Sequence, residues 1–154
     1  MCLKDLFTSW ESPISLYTAL FSSNLPLDAK VEHLQISNAM YTAFRCDLSF
    51  IVGDDLVVIV EHQSTINLNM PIRLLLYIAK LYENILDENS RYNRGLKKIP
   101  TPRFAVLYNG KEPFPERSEL KLSDAYILKD SGIHLELRVP FFNINYGYNK
   151  GSAD

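Results

Sequence analysis

The segment that most restricts how this chain can fold is DLSFIVGDDLVVIVEHQ, residues 47–63. Apolar, β-branched and aromatic residues fill 48–52 and 56–60, and Gly53-Asp54-Asp55 separates them, which predicts two antiparallel strands joined by a tight turn. A three-residue loop sets Val52 opposite Leu56, Phe50 opposite Val58, Leu48 opposite Val60 and Asp47 opposite Glu61. Side chains two apart share a face, so Glu61 and Gln63 project together while His62 points away. A two-residue turn would slip the register by one and drive one of the two carboxylates into the core. The apolar pattern favours the three-residue loop, with Asp47, Glu61 and Gln63 on one face and pure core on the other.

The remaining elements read around this hairpin. Pro13 suits the first turn of a helix over Ile14–Phe21, and Asn24-Leu25-Pro26 should stop it. Val31–Ile36 alternates as a strand does. Pro71 opens a second helix, with Ile72, Leu75, Leu76, Ala79, Tyr82 and Leu86 on its inner side and Arg73, Tyr77, Lys80 and Asn84 on its outer side. Phe104–Tyr108 reads as a buried strand closed by Asn109-Gly110, and residues 111–131 as mostly loop. Leu135–Ile144 is a last strand, and Pro140 inside it predicts an edge or a bulge. Strands interleaved with two helices predict an α/β (α+β) architecture, a mixed sheet with helices packed against it. At 154 residues and without repeats or linkers, the whole of residues 1–154 is expected to form a single domain.

The net charge of −2 argues against coating nucleic acid by bulk attraction. The distribution is uneven, however: Arg91, Arg94, Lys97, Lys98 and Arg103 crowd residues 91–103, which contain no acid. Five positive charges without a counter-charge favour contact with a phosphate backbone over an exposed connection. Uncharged stretches are too short or too polar to cross a bilayer. Cys2 and Cys46 form neither a disulfide framework nor a zinc pattern, and the N-terminus lacks the features of a signal peptide, so a cytoplasmic protein without a membrane partner is expected. His33 and His134 have no partner at ligand spacing, and Phe141, Phe142, Tyr146 and Tyr148 read as packing rather than a base-stacking platform.

Two carboxylates facing each other across a hairpin repel unless a cation lies between them, and carboxylate and carbonyl oxygens are hard donors suited to Mg²⁺. Such an ion polarises a phosphoryl oxygen and lowers the pKa of bound water, which is what phosphodiester hydrolysis requires. The spacing of Asp47, Glu61 and Gln63 is D-x13-E-x-Q, the degenerate signature of PD-(D/E)XK nucleases. With EHQST, NMPIRLLLYIAKLYENIL, KKIPTPRFAVLYNGKEPFP and NINYGYN around it, the chain resembles, from about Trp10 to Asn149, the PD-(D/E)XK family transposases, or recombination-promoting nucleases, of bacteria.

The resemblance implies a restriction-endonuclease-like core and a metal-dependent DNA endonuclease acting in recombination or mobile-element movement. It implies Mg²⁺ or Mn²⁺ held by Asp47, Glu61 and the carbonyl of His62, with Gln63 standing where the signature has Lys or Gln. Arg73 and Tyr77 match the Arg and Tyr of the following helix, one turn apart and in a position to touch phosphate. The positive charge that Gln63 lacks must come from the metal, Arg73 or Lys80. Glu11 is the one acid at the first helix available as a further ligand, though a helix-start acid favoured by the macrodipole is the preferred reading of it. DNA is the implied partner, and cutting both strands would need two sites, which leaves a homodimer open. Cys46 departs from the Asn expected beside the metal site, and the chain stops soon after NINYG, where relatives continue into a helical region. A shortened, inactive copy that only binds DNA or a partner is the alternative reading, and RNA the less favoured substrate.

Overall fold

The computed structural model describes residues 12–26, 28–34, 48–129 and 132–145. The order is α1 (Pro13–Phe21), β1 (Val31–His33), β2 (Leu48–Val52), β3 (Leu56–Gln63), α2 (Met70–Ile85), β4 (Thr101–Tyr108), β5 (Arg117–Lys121) and β6 (Arg138–Asn143), with short 3₁₀ turns at Ser90–Tyr92 and Leu122–Ala125. Glu11, Cys46, Asp47, Tyr146 and Tyr148 lie outside the described residues, as does the Ile36 end of the expected first strand.

The mixed α/β architecture is present as one six-stranded sheet ordered β1-β2-β3-β4-β6-β5. The hairpin register is the expected one, with Val52↔Leu56, Phe50↔Val58 and Leu48↔Val60. Gly53, at φ +56° in the turn, adopts the left-handed conformation that glycine tolerates without a Cβ penalty. β3 then pairs parallel with β4, and β4 parallel with β6, while β5 returns antiparallel beside β6. A parallel neighbour requires a crossover, and α2 supplies it between β3 and β4.

Each face of the sheet is covered by a helix. Leu16 and Tyr17 of α1 pack with Leu48, Phe50, Val58, Val60 and Leu107. Met70, Leu74, Tyr77, Ile78 and Leu81 of α2 pack with Val57, Ile59, Val106, Tyr108 and Phe141 on the other face. The contrast expected between a polar and an apolar face of the hairpin is therefore corrected: Val57 and Ile59 share the face of Glu61, and both faces are core. Ser12 caps α1 by accepting from the Ser15 amide at 3.2 Å, and α1 ends at Ser22, in the left-handed region at φ 50°, before Asn24 is reached.

Three further expectations are corrected. First, α2 is rotated from its expected setting. Tyr77, placed on the outer side by its sequence spacing, is 2% exposed, whereas Ile72 and Leu76 are 38% and 52% exposed. The helix is apolar almost all round from Leu74 to Ala79, so periodicity admits two inner faces, and packing against Tyr108 and Val106 selects the one with Leu74, Tyr77 and Ile78. Second, β6 is an interior strand. Asn143 N–H donates to Glu116 on the β5 side and Ile144 N–H to Tyr108 on the β4 side, so Pro140 turns its missing donor toward β4. The β4 ladder begins only at Phe141, and no bond is lost. Third, within the expected loop 111–131 the segment Arg117–Lys121 forms edge strand β5.

Candidate active site

The parallel strands β3, β4 and β6 end level with one another, in the row Gln63↔Tyr108↔Asn143. All three side chains lie on the face covered by α2, because alternate residues of a strand share a face. Carboxyl ends of parallel strands are where open α/β sheets leave room for ligands. Glu61 lies two residues back on the same face, its side chain 3% exposed, with Arg73 Nη2 at 3.7 Å from Oε2. Gln63 Nε2 donates to Met70 Sδ at 2.7 Å, and Arg73 Nη1 lies 4.0 Å from the same sulfur. Met70 and Arg73 occupy the first turn of α2, so the start of the crossover helix is what closes over the end of β3.

Gln63 Oε1 is buried with no hydrogen-bond partner among the described residues. Its amide is held through a thioether, a weak acceptor, so turning toward a stronger partner costs little. The Gln63 carbonyl accepts from Asn109 N–H at 3.0 Å and so faces β4. Backbone carbonyls alternate along a strand, which directs that of His62 to the β2 side. The Glu61 carboxylate and the His62 carbonyl are hard oxygens that fit Mg²⁺ or Mn²⁺, and the orphaned Gln63 amide oxygen beside them can accept from a water. No group of three or more His, Cys, Asp or Glu side chains stands together among the described residues.

The proposed DNA contacts do not all converge here. Arg73 reaches Glu61 and is 30% exposed. Lys80 is paired with Glu83 at 2.9 Å, and that ammonium holds the Glu83 carboxyl below its ordinary range. Tyr77 is core, not surface. Arg91, Arg94, Lys97 and Lys98 are exposed, but they lead into the start of β4, where Thr101 pairs with Leu56 at the start of β3. Lys97 and Lys98 line a cleft of about 460 Å³ with Lys30, Glu32, Gly53 and Asp54, at the turn end of the hairpin. Five strand steps separate Leu56 from Glu61, about 17 Å, so the basic loop sits at the opposite end of the sheet from the carboxylate.

Sequence reasoning assigned no role to the support behind this row. Tyr108 Oη donates to the Glu112 carbonyl at 2.9 Å, Asn143 Nδ2 to the Phe114 carbonyl at 2.8 Å, and Asn145 Nδ2 to the Gly110 carbonyl at 2.9 Å. A Cβ on Gly110 would overlap the Ser64 carbonyl oxygen and the Tyr108 ring, so glycine alone permits this approach. Asn109-Gly110 signals a turn and Asn143 and Asn145 belong to the NINYGYN segment, but their spacing says nothing of a partner some thirty residues away.

Compared with protein-family models, curated proteins and solved structures, the chain matches none. No helix among the described residues is long and apolar enough to cross a membrane.

Proposed function

We propose that this chain is a metal-dependent DNA endonuclease domain with a PD-(D/E)XK core, of the transposase-like class, hydrolysing phosphodiester bonds in recombination or mobile-element movement. The observation that supports it is the pairing of Glu61 and Gln63 on one face at the carboxyl end of β3, in a hairpin whose register runs through Leu48↔Val60.

Asp47, Glu61 and the His62 carbonyl are the groups that would hold Mg²⁺ or Mn²⁺, and the ion would polarise the scissile phosphoryl oxygen and lower the pKa of a bound water. Gln63 orients the attacking water through its amide oxygen. Arg73, half-way between Glu61 and solvent, neutralises the carboxylate and offers a bidentate donor to phosphate. Arg91, Arg94, Lys97 and Lys98 hold the duplex away from the cut, by backbone charge alone. The reading places the protein with DNA in the cytoplasm, and two copies would be needed to cut both strands. Nicking of supercoiled plasmid with Mg²⁺ tests it: Asp47→Ala and Glu61→Ala should abolish cleavage, and equal cleavage by all three proteins overturns it.

The contact between Arg73 and Glu61 also favours a second reading, a DNA- or partner-binding module without turnover, because the guanidinium already brings positive charge to the carboxylate. Thermal unfolding separates the two. A Mg²⁺-dependent rise in Tm that disappears in Asp47→Ala belongs to the nuclease alone.

A further inference from the structure

We infer that Lys111 contacts a substrate phosphate at this same site, supplying from the loop after β4 the positive charge that Gln63 cannot; the inference rests on the proposed nuclease reading. Three observations carry it. The loop begins beside Gln63, since Asn109 N–H donates to the Gln63 carbonyl at 3.0 Å. Gly110 then passes so close to the Ser64 carbonyl and the Tyr108 ring that no side chain fits there. Consecutive α-carbons are about 3.8 Å apart, so Lys111 starts next to the end of β3, within reach of its own side chain.

The loop is also held on both sides of Lys111. Gly110 is bound by Asn145, Glu112 by Tyr108 and Phe114 by Asn143, all through backbone carbonyls. Lys111 itself is exposed, and no hydrogen bond or ion pair engages it among the described residues. A cation on a backbone pinned at three points loses little freedom on meeting a phosphate, the condition under which a positioned charge is most effective. The lysines of the basic loop lie at the far end of the sheet and cannot serve this position.

The test measures affinity for duplex DNA against salt concentration, without added metal, for the full chain and for Lys111→Ala, Lys111→Arg and Lys129→Ala. One lost phosphate contact lowers the slope of log K against log salt by about one unit, equally for any DNA sequence. Lys111→Ala should show that loss, Lys111→Arg should keep the slope, and Lys129→Ala, on a distant loop, should not change it. An unchanged slope in Lys111→Ala overturns the inference while leaving the nuclease reading intact if the wild type nicks plasmid. Loss of slope in a chain that never nicks supports the contact and sinks the nuclease reading instead. A wild-type chain that does not bind DNA overturns both.

Discussion

Arg73 Nη2 stands 3.7 Å from Glu61 Oε2, a guanidinium 30% exposed against a carboxylate 3% exposed. A carboxylate that deep is costly to desolvate, and removing a nearby cation takes away part of what offsets that cost. Arg73→Gln should therefore lower stability by about 1–3 kcal/mol, read from the urea midpoint. The same variant should gain more Tm on adding Mg²⁺ than the wild type does, because the ion no longer competes with a guanidinium for Glu61. A smaller gain would show that Arg73 assists metal binding rather than opposing it.

The rotation of α2 has its own signature. Tyr77→Ala removes a ring buried between Leu74, Ile78 and Tyr108 and should cost about 3–5 kcal/mol, whereas Leu76→Ala, at a half-exposed position, should stay within about 1 kcal/mol. Chemical denaturation of both variants decides it. The reverse ranking would restore the helix face suggested by sequence spacing.

If the basic loop only holds DNA, its charges act on binding and not on bond breaking. Lys97→Ala with Lys98→Ala should reduce the salt slope of DNA affinity by about two units, one per lost contact. The single-turnover nicking rate at saturating protein should remain that of the wild type, since the loop and Glu61 lie at opposite ends of the sheet. A large fall in that rate would mean that the substrate path runs differently.

At the end of α2, Ser90 donates to Asp87 Oδ1 from its backbone N–H at 2.6 Å, and hydrogen bonding from Ser90 lowers the Asp87 pKa below its ordinary value. With the folded pKa below the unfolded one, the native state binds fewer protons through the acid range, so the contribution is present above the unfolded pKa, about 4. It is lost as pH falls through the folded value. Wild type and Asp87→Asn should differ in stability at pH 6, and the difference should shrink as pH falls below 4, by urea melts across that range. A constant difference would assign the effect to packing rather than charge.

Much of the hairpin was legible because its signals are local. Two apolar runs around Gly53-Asp54-Asp55 favour one register, with Val52 opposite Leu56, Phe50 opposite Val58 and Leu48 opposite Val60, and that register is present. The helix that Pro71 opens was also legible as an element, but not its rotation, since the run from Leu74 to Ala79 buries equally well on either of two sides. The interior place of β6 is hidden for a related reason. Pro140 reads as an edge signal unless it is known which neighbour its nitrogen faces, and that depends on where β4 starts to pair.

The sequence by itself determined the elements that rest on short-range alternation and turn chemistry: the hairpin, the β3–α2–β4 order and the shared face of Glu61 and Gln63. Only the tertiary structure decided that Tyr77 is core, that Arg73 reaches Glu61, that the basic loop sits at the other end of the sheet, and that Asn143 and Asn145 pin the loop carrying Lys111. The physical reason is range. Alternation and turns act over a few residues, whereas these relationships join side chains that only the parallel crossover and the level ends of β3, β4 and β6 bring together.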